Sequence, residues 1–259
     1  MVNPMLERLW RIAPALSAIT ILLLLWESYV ALSGIAPTTL PAPSRIWAQG
    51  VLNWPSLAQN TWPTVQATVL GFMLSLCVAF VLSVVIDFSP ALRRALLPVL
   101  VISQTLPLIA IAPLVILWFG FGLAPKILLV AFVTFFPMLV AWLKGYEATE
   151  PDLEWLLGTM GAGRAAIFRQ ARLPSALPYF FAGLRISTTY AVVAAIFAEY
   201  AGAARGLGIY ILSAKNNFRP DLVLAAVGVS AVLTLCLFGL AILAERIAMP
   251  WARFREPRR

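Results

Sequence analysis

TVQATVLGFMLSLCVAFVLSVVI, residues 64–86, runs for 23 residues without a charged side chain. About 20 mostly apolar residues are enough to cross the hydrocarbon core of a bilayer as a helix. The run carries no charged face for water to solvate, and Asp87 and the Ser89-Pro90 break close it. It reads as a transmembrane helix.

Five further stretches read the same way, at residues 12–34, 96–119, 125–143, 181–201 and 222–248. The first is too long for a signal-peptide core and no small-residue cleavage site follows it, so it counts as a span. Pro98, Pro107 and Pro113 fall in the 96–119 stretch, which is expected to be one kinked helix, since membrane helices tolerate proline when neighbours re-satisfy the freed carbonyls. The fold class expected is all-α, a polytopic membrane protein of about six transmembrane helices. A single transmembrane domain is expected over 1–259, with a cytoplasmic loop at 150–178 inside it.

Composition supports a bilayer as the solvent. Of 259 residues, 61% are hydrophobic and 12% charged, against about 45–50% and about 25% in soluble domains. Mean hydropathy is +0.90. The net charge of +8 resides in short loops and the tail, with no basic face carrying aromatic stackers, which argues against a nucleic-acid partner. With no histidine, the chain has no His-based triad, metal ligand or proton relay, and no metal or cofactor is expected. Cys77 and Cys236 both fall inside apolar runs and read as small packing residues.

Lysine and arginine set the orientation through the positive-inside rule. With both termini cytoplasmic, the inner set is Arg8, Arg11, Arg93, Arg94, Lys144, Arg164, Arg169, Arg172, Arg185, Arg246, Arg253, Arg255, Arg258 and Arg259. The outer set is Arg45, Lys126, Arg205, Lys215 and Arg219, giving 14 against 5 of the 19 cations. The expected topology is therefore N-in, C-in. Residues 36–62 form the main outward loop, where Trp47, Trp54 and Trp62 read as interfacial anchors.

The longest inward loop, residues 144–179, is more than a connector. Pro151 and Asp152 make a helix start, with Glu154 near the positive end of its dipole. Leu153, Leu156, Leu157 and Met160 follow at helical spacing before Gly161 and Gly163 break the helix. A second short helix is expected at 164–171, ended by Leu173-Pro174, with Pro178 leading into the next span. Two short helices around a glycine turn would either present a knob to another protein or lie as an amphipathic loop at the membrane face.

These residues resemble the EAA loop of ABC importer permeases, whose pattern is EAA, three residues, Gly, nine residues, Ile, one residue, Leu-Pro. Gly161 stands at the pattern's Gly and Leu173-Pro174 at its Leu-Pro; Trp155-Leu156-Leu157 replace EAA, and Ala171 stands at the Ile. AGLRIS at 182–187 and AEYAGAARGLGIYI at 198–211 are similar to the permeases for nitrate, sulfonate, taurine and thiamine-precursor pyrimidines. The resemblance covers nearly the whole chain.

The resemblance implies a type I importer permease in the plasma (inner) membrane, paired with a second permease copy. It implies a cytoplasmic ABC ATPase docked on a coupling helix, here Gly161, Gly163, Arg164, Ile167, Phe168, Arg169, Leu173 and Pro174. It also implies an extracytoplasmic binding protein that delivers a small polar solute. The residues Ala244-Glu245-Arg246 and Met249-Pro250-Trp251 look most like the pyrimidine permeases, with nitrate, sulfonate or taurine as alternatives. No ATP site is expected in the chain itself. Gly158-x-x-x-x-Gly163-Arg164-Ala165 copies the outline of a P-loop but lacks its Lys and its Mg²⁺-holding hydroxyl.

Polar residues within spans are candidates for the translocation path, because their burial in lipid is costly. These are Gln104, Ser187, Thr188, Tyr190 and Glu199, with Thr105, Thr189 and Glu27 beside them. Hydrogen bonding between helices is the structural alternative for the hydroxyls, and snorkelling to the interface for Arg185. A secondary transporter would show inverted repeats and deep charges. A membrane enzyme would show paired carboxylates, and a scaffold would have no need of the Gly–Leu-Pro loop.

Overall fold

The computed structural model describes residues 4–251, with side chains described from residue 13 onward. The side chains of Arg8 and Arg11, and all of Arg253, Arg255, Arg258 and Arg259, lie outside the described residues. Among the described residues there are eleven α-helices and one π-helical turn, and no strand.

Helix α1 spans Pro4–Ser33, α2 Pro43–Leu52 and α3 Trp54–Phe88. A broken pair follows, α4 (Pro90–Ser103) and α5 (Leu108–Phe119), and then α6, Leu123–Glu147. Helices α7 (Pro151–Thr159) and α8 (Arg164–Ile167) lead through a π-helical turn, Phe168–Arg172, into α9, Leu173–Tyr200. The chain closes with α10 (Leu207–Asn216) and α11 (Pro220–Ala248).

Among the described residues, five segments are long and apolar enough to cross a membrane: Ala13–Ser33, Trp54–Phe88, Leu123–Glu147, Arg164–Tyr200 and Pro220–Ala248. The bent pair α4–α5 would make a sixth. Here the structure corrects the expectation of one kinked helix over 96–119, because α4 and α5 diverge by 102°. Pro107 has no N–H to donate and pushes Leu106 out of the helical region. The last turn of α4 tightens instead, with Thr105 N–H bonded to Ile102 O at 3.0 Å and the Ser103 and Thr105 hydroxyls donating to Leu100 and Ile102 carbonyls. Pro98 and Pro113, by contrast, sit inside α4 and α5.

A second correction concerns the inward loop. Leu173-Pro174 does not end the short helix, and Pro178 does not lead into a new span. Arg164–Tyr200 is one continuous apolar segment, with Pro178 inside α9. The Phe168–Arg172 turn widens the helix so that Leu173 N–H reaches Phe168 O. Pro174 follows directly in the first turn of α9. The outward loop at 36–62 also proves largely helical, carrying α2 and the first turns of α3. Trp47, Trp54 and Trp62 are each more than half exposed, as interfacial anchors would be. Cys77 and Cys236, expected as packing residues, are exposed and unpaired.

The chain divides into two compact units. In the first, residues 1–58 with 210–228, α1 reaches α2 through Glu27, whose carboxylate accepts from Ser44 N–H at 3.0 Å and Ser44 Oγ–H at 2.6 Å. Glu27 thus caps α2. Arg219 holds the buried Asp221 at 2.9 Å and also donates to Gln49 Oε1 at 2.9 Å, tying α2 to the start of α11.

The second unit, residues 59–209 with 229–259, holds the core. Helices α6 and α9 pack along their length through small residues. A Cβ built on Gly183 would lie 2.4 Å from Ala141 Cβ and 2.8 Å from Pro137 O, and one on Gly145 would lie 2.6 Å from Ala176 Cα. Such close backbone approach is how membrane helices gain packing energy when lipid supplies no hydrophobic drive. Around this seam Trp142 stacks on Phe180 with centroids 4.4 Å apart, and the Tyr146 hydroxyl meets Ser83 Oγ at 3.1 Å.

Candidate functional site

Three places in the second unit bring polar chemistry together. The first surrounds the α7–α9 segment. Pro151 opens α7 with Asp152 and Glu154 in its first turn. Its end is a Schellman closure: Gly161 N–H bonds Gly158 O and Ala162 N–H bonds Leu157 O, both at 3.0 Å. Gly161 has φ +84°, a conformation that suits glycine.

The expected coupling residues fall into two sets. Gly161, Gly163, Arg164, Arg169 and Pro174 are exposed, joined by Trp155, Leu156 and Met160 of α7. Ile167, Phe168 and Leu173 are half-buried, and the last two pack against the core. Phe168 lies 5.2 Å from the Tyr146 ring and 5.3 Å from Phe88. The residue that fixes the segment was counted at the sequence level only as an inner cation. Arg172 Nη1 donates to Asp87 Oδ2 at 2.7 Å and Arg172 Nε to Glu154 Oε1 at 2.9 Å. One guanidinium therefore clamps the end of α3, the start of α7 and the π turn. Close by, Arg93 pairs with Glu147, linking α4 to α6.

The second place is Glu199, which is fully buried. Its carboxylate accepts from Thr64 Oγ1 at 2.9 Å and Gly208 N–H at 2.8 Å, and Lys126 Nζ stands 3.9 Å away. Thr64 Oγ1 in turn accepts Leu207 N–H at 2.9 Å, and Asn60 Oδ1 accepts Gly206 N–H at 3.1 Å. Lys126 also donates to Arg205 O at 3.3 Å. Glu199 is thus the knot that fastens the α9–α10 turn onto α3 and α6.

The third place is a cavity of about 240 Å³ beside the α4–α5 break. Gln104 and Tyr190 both line it, with Phe132, Val133 and Phe197 among the rest. Ser187 and Thr188 do not reach it. Both are buried; Ser187 Oγ donates to Thr134 O of α6 at 2.8 Å, and Thr188 Oγ1 to Arg185 O of its own helix at 2.7 Å. Arg185, expected to snorkel, donates to Glu245 of α11 at 2.9 Å.

Comparison with known proteins places this geometry. Residues 67–248 match the family described as the binding-protein-dependent transport system inner membrane component. The chain is 33% identical to the formylaminopyrimidine transport permease protein ThiX of Halalkalibacterium halodurans, over 90% of this chain and 93% of that one. It is 36% identical to the riboflavin transport system permease protein RibX of Chloroflexus aurantiacus, over 96% of each. Its fold is similar to the inward-facing MetNI methionine ABC transporter, with a TM-score of 0.65 at 17% identity over 76% of this chain and 97% of that one. The broken α4–α5 pair, the small-residue seam of α6 and α9 and the clamped α7–α8 segment therefore belong to a multi-pass inner-membrane permease of the ABC importers, a member of the binding-protein-dependent transport system inner membrane components.

Proposed function

We propose that the chain forms the translocation path of an ATP-driven importer and takes its motion from an ATPase subunit docked on α7 and α8. The observation that carries this is the exposed surface of Trp155, Leu156, Met160, Arg164 and Arg169 on a segment continuous with the α9 span. Movement of that segment must reach α9 directly, because no flexible loop intervenes. Nucleotide chemistry belongs to the partner: the P-loop lookalike at 158–165 is here the end of α7 and a Schellman turn, without the lysine or hydroxyl that phosphate and Mg²⁺ binding need. A second copy of the chain completes the path, and an extracytoplasmic binding protein delivers a small solute. ThiX and RibX are named for solutes built on nitrogen heterocycles, which favours that class.

Gly161 offers the test. A Cβ there would meet nothing within 4 Å, so any effect of substitution comes from the backbone at φ +84°. A non-glycine residue in that conformation costs about 1–2 kcal/mol, and asparagine is the best tolerated. Gly161→Leu should insert normally but bind the ATPase about tenfold more weakly or worse, while Gly161→Asn keeps most of the affinity. Equal co-purification of the ATPase with all three proteins would remove α7–α8 as the docking segment.

Orientation is read by cysteine labelling after Cys77 and Cys236 are replaced by alanine. Thr39→Cys should react with an impermeant maleimide from outside intact cells, and Met160→Cys only after permeabilisation. The reverse pattern would invert the N-in, C-in topology.

A further inference from the structure

We infer that the cavity beside the α4–α5 break is a substrate subsite for an uncharged, flat nitrogen heterocycle of about one ring, and not for an anion such as a sulfonate. The inference rests on the permease reading above and names the class of solute the path accepts.

Irregular backbone within a membrane helix is tolerated where it lines a cavity, and broken helices commonly mark the solute site in transporters. The 102° break between α4 and α5 lies against such a cavity. Its lining includes three aromatic rings, Phe132, Tyr190 and Phe197, and no charged side chain. A sulfonate or nitrate moved there would meet no cation from the lining, and its charge would lose hydration wherever the rings cover it. A π-face loses nothing by the exchange and gains ring contacts.

The polar groups fit the same guest. The Gln104 amide carries both a donor and an acceptor, and among the described residues its only side-chain bond is a long one, 3.4 Å from Nε2 to Ser103 Oγ. Its oxygen is left to accept. An amide reads an adjacent ring nitrogen and amino group bidentately, as glutamine and asparagine read adenine. The Tyr190 hydroxyl makes no hydrogen bond among the described residues and is a second free donor or acceptor. At about 240 Å³ the cavity is smaller than the roughly 300–1,000 Å³ typical of drug-sized ligand sites, which suits a single ring better than a fused tricycle.

The test uses the purified permease–ATPase complex without binding protein, so that only the permease can select. Equilibrium dialysis with radiolabelled 4-amino-2-methylpyrimidine should show saturable binding, displaced by excess unlabelled pyrimidine and not by ethanesulfonate. Tyr190→Ala and Gln104→Leu should each weaken binding about tenfold or more, with Tyr190→Phe within about threefold of the parent. Each variant's co-purification with the ATPase serves as the folding check. Absence of saturable binding, equal displacement by ethanesulfonate, or unchanged affinity in both Tyr190→Ala and Gln104→Leu would overturn the subsite. Failure of the parent chain to co-purify with any ATPase would instead overturn the permease–ATPase docking on which it rests.

Discussion

Arg172→Glu is expected to abolish solute uptake while leaving the chain in the membrane. In the parent, Arg172 joins Asp87 at 2.7 Å and Glu154 at 2.9 Å. Hydrogen bonds to charged groups contribute about 1.5–3 kcal/mol each. The side chain is 28% exposed, so solvent trims these values. The substitution nonetheless removes both bonds and brings three carboxylates together. The clamp sits on a π turn, a feature frequent at functional sites, and it is the polar tie between α7 and the membrane end of α3. With α7 released, motion of a docked ATPase would spend itself in the segment and not reach α9. Uptake in membrane vesicles should fall about a hundredfold or more, the equivalent of about 2.7 kcal/mol. Arg172→Lys should fall between, since an ammonium keeps the charge but lacks the rigid planar fork that aims Nε and Nη1 at separate carboxylates. The pair Asp87→Arg with Arg172→Asp should recover a measurable part of the loss if charge pairing is what matters. Parent-level uptake by Arg172→Glu, with equal protein on an immunoblot, would reduce the clamp to a surface ion pair.

Residues 64–86 announce a span by length and apolarity, and the same holds for α6 and α11, because about 20 mostly apolar residues are what a bilayer crossing needs. What the sequence does not contain is the fate of each proline. Pro98, Pro107 and Pro113 look alike on paper, yet only Pro107 separates two helices, because there the Ser103 and Thr105 hydroxyls and a tightened last turn take up the freed carbonyls. Leu173-Pro174 reads as a stop for the opposite reason: a π turn, invisible to any periodicity, carries the helix through it. Site residues divide along the same line. Glu199 stands out as a carboxylate in an apolar run, but Thr64 is 135 positions away and Asp87 is 85 from Arg172. Pairings at such separations leave no local signal. Arg172 reads as a loop cation ahead of the 181–201 stretch, and only the structure, by carrying that segment back to Arg164, sets it against Asp87.

Glu199→Leu is expected to destabilise the second unit strongly. The leucine would leave the Gly208 N–H without an acceptor, and would leave the Thr64 hydroxyl only Asn60 O at 3.3 Å and the Lys126 ammonium only Arg205 O at 3.3 Å. Removing one partner of a buried charge pair costs about 3–5 kcal/mol, most of it the penalty on the group left behind. Glu199→Gln keeps an oxygen to accept from Gly208 and Thr64 and gives up only the ion pair, which at 3.9 Å is already long. It should lose clearly less. Gly206 supplies an independent check of the same knot. Its φ is +147°, and a Cβ there would fall 2.2 Å from Glu199 Cδ and 2.3 Å from Oε1, so Gly206→Ala must expel the carboxylate from its place. Thermal unfolding of the detergent-purified protein should therefore rank the parent first, then Glu199→Gln, with Gly206→Ala and Glu199→Leu well below. Because Gly206→Ala and Glu199→Leu break one network, the double variant should be little worse than Glu199→Leu alone, since coupled sites do not add. Full additivity, or a Glu199→Leu protein that unfolds with the parent, would show that the α9–α10 turn is held by its apolar neighbours and that Glu199 is a passenger there.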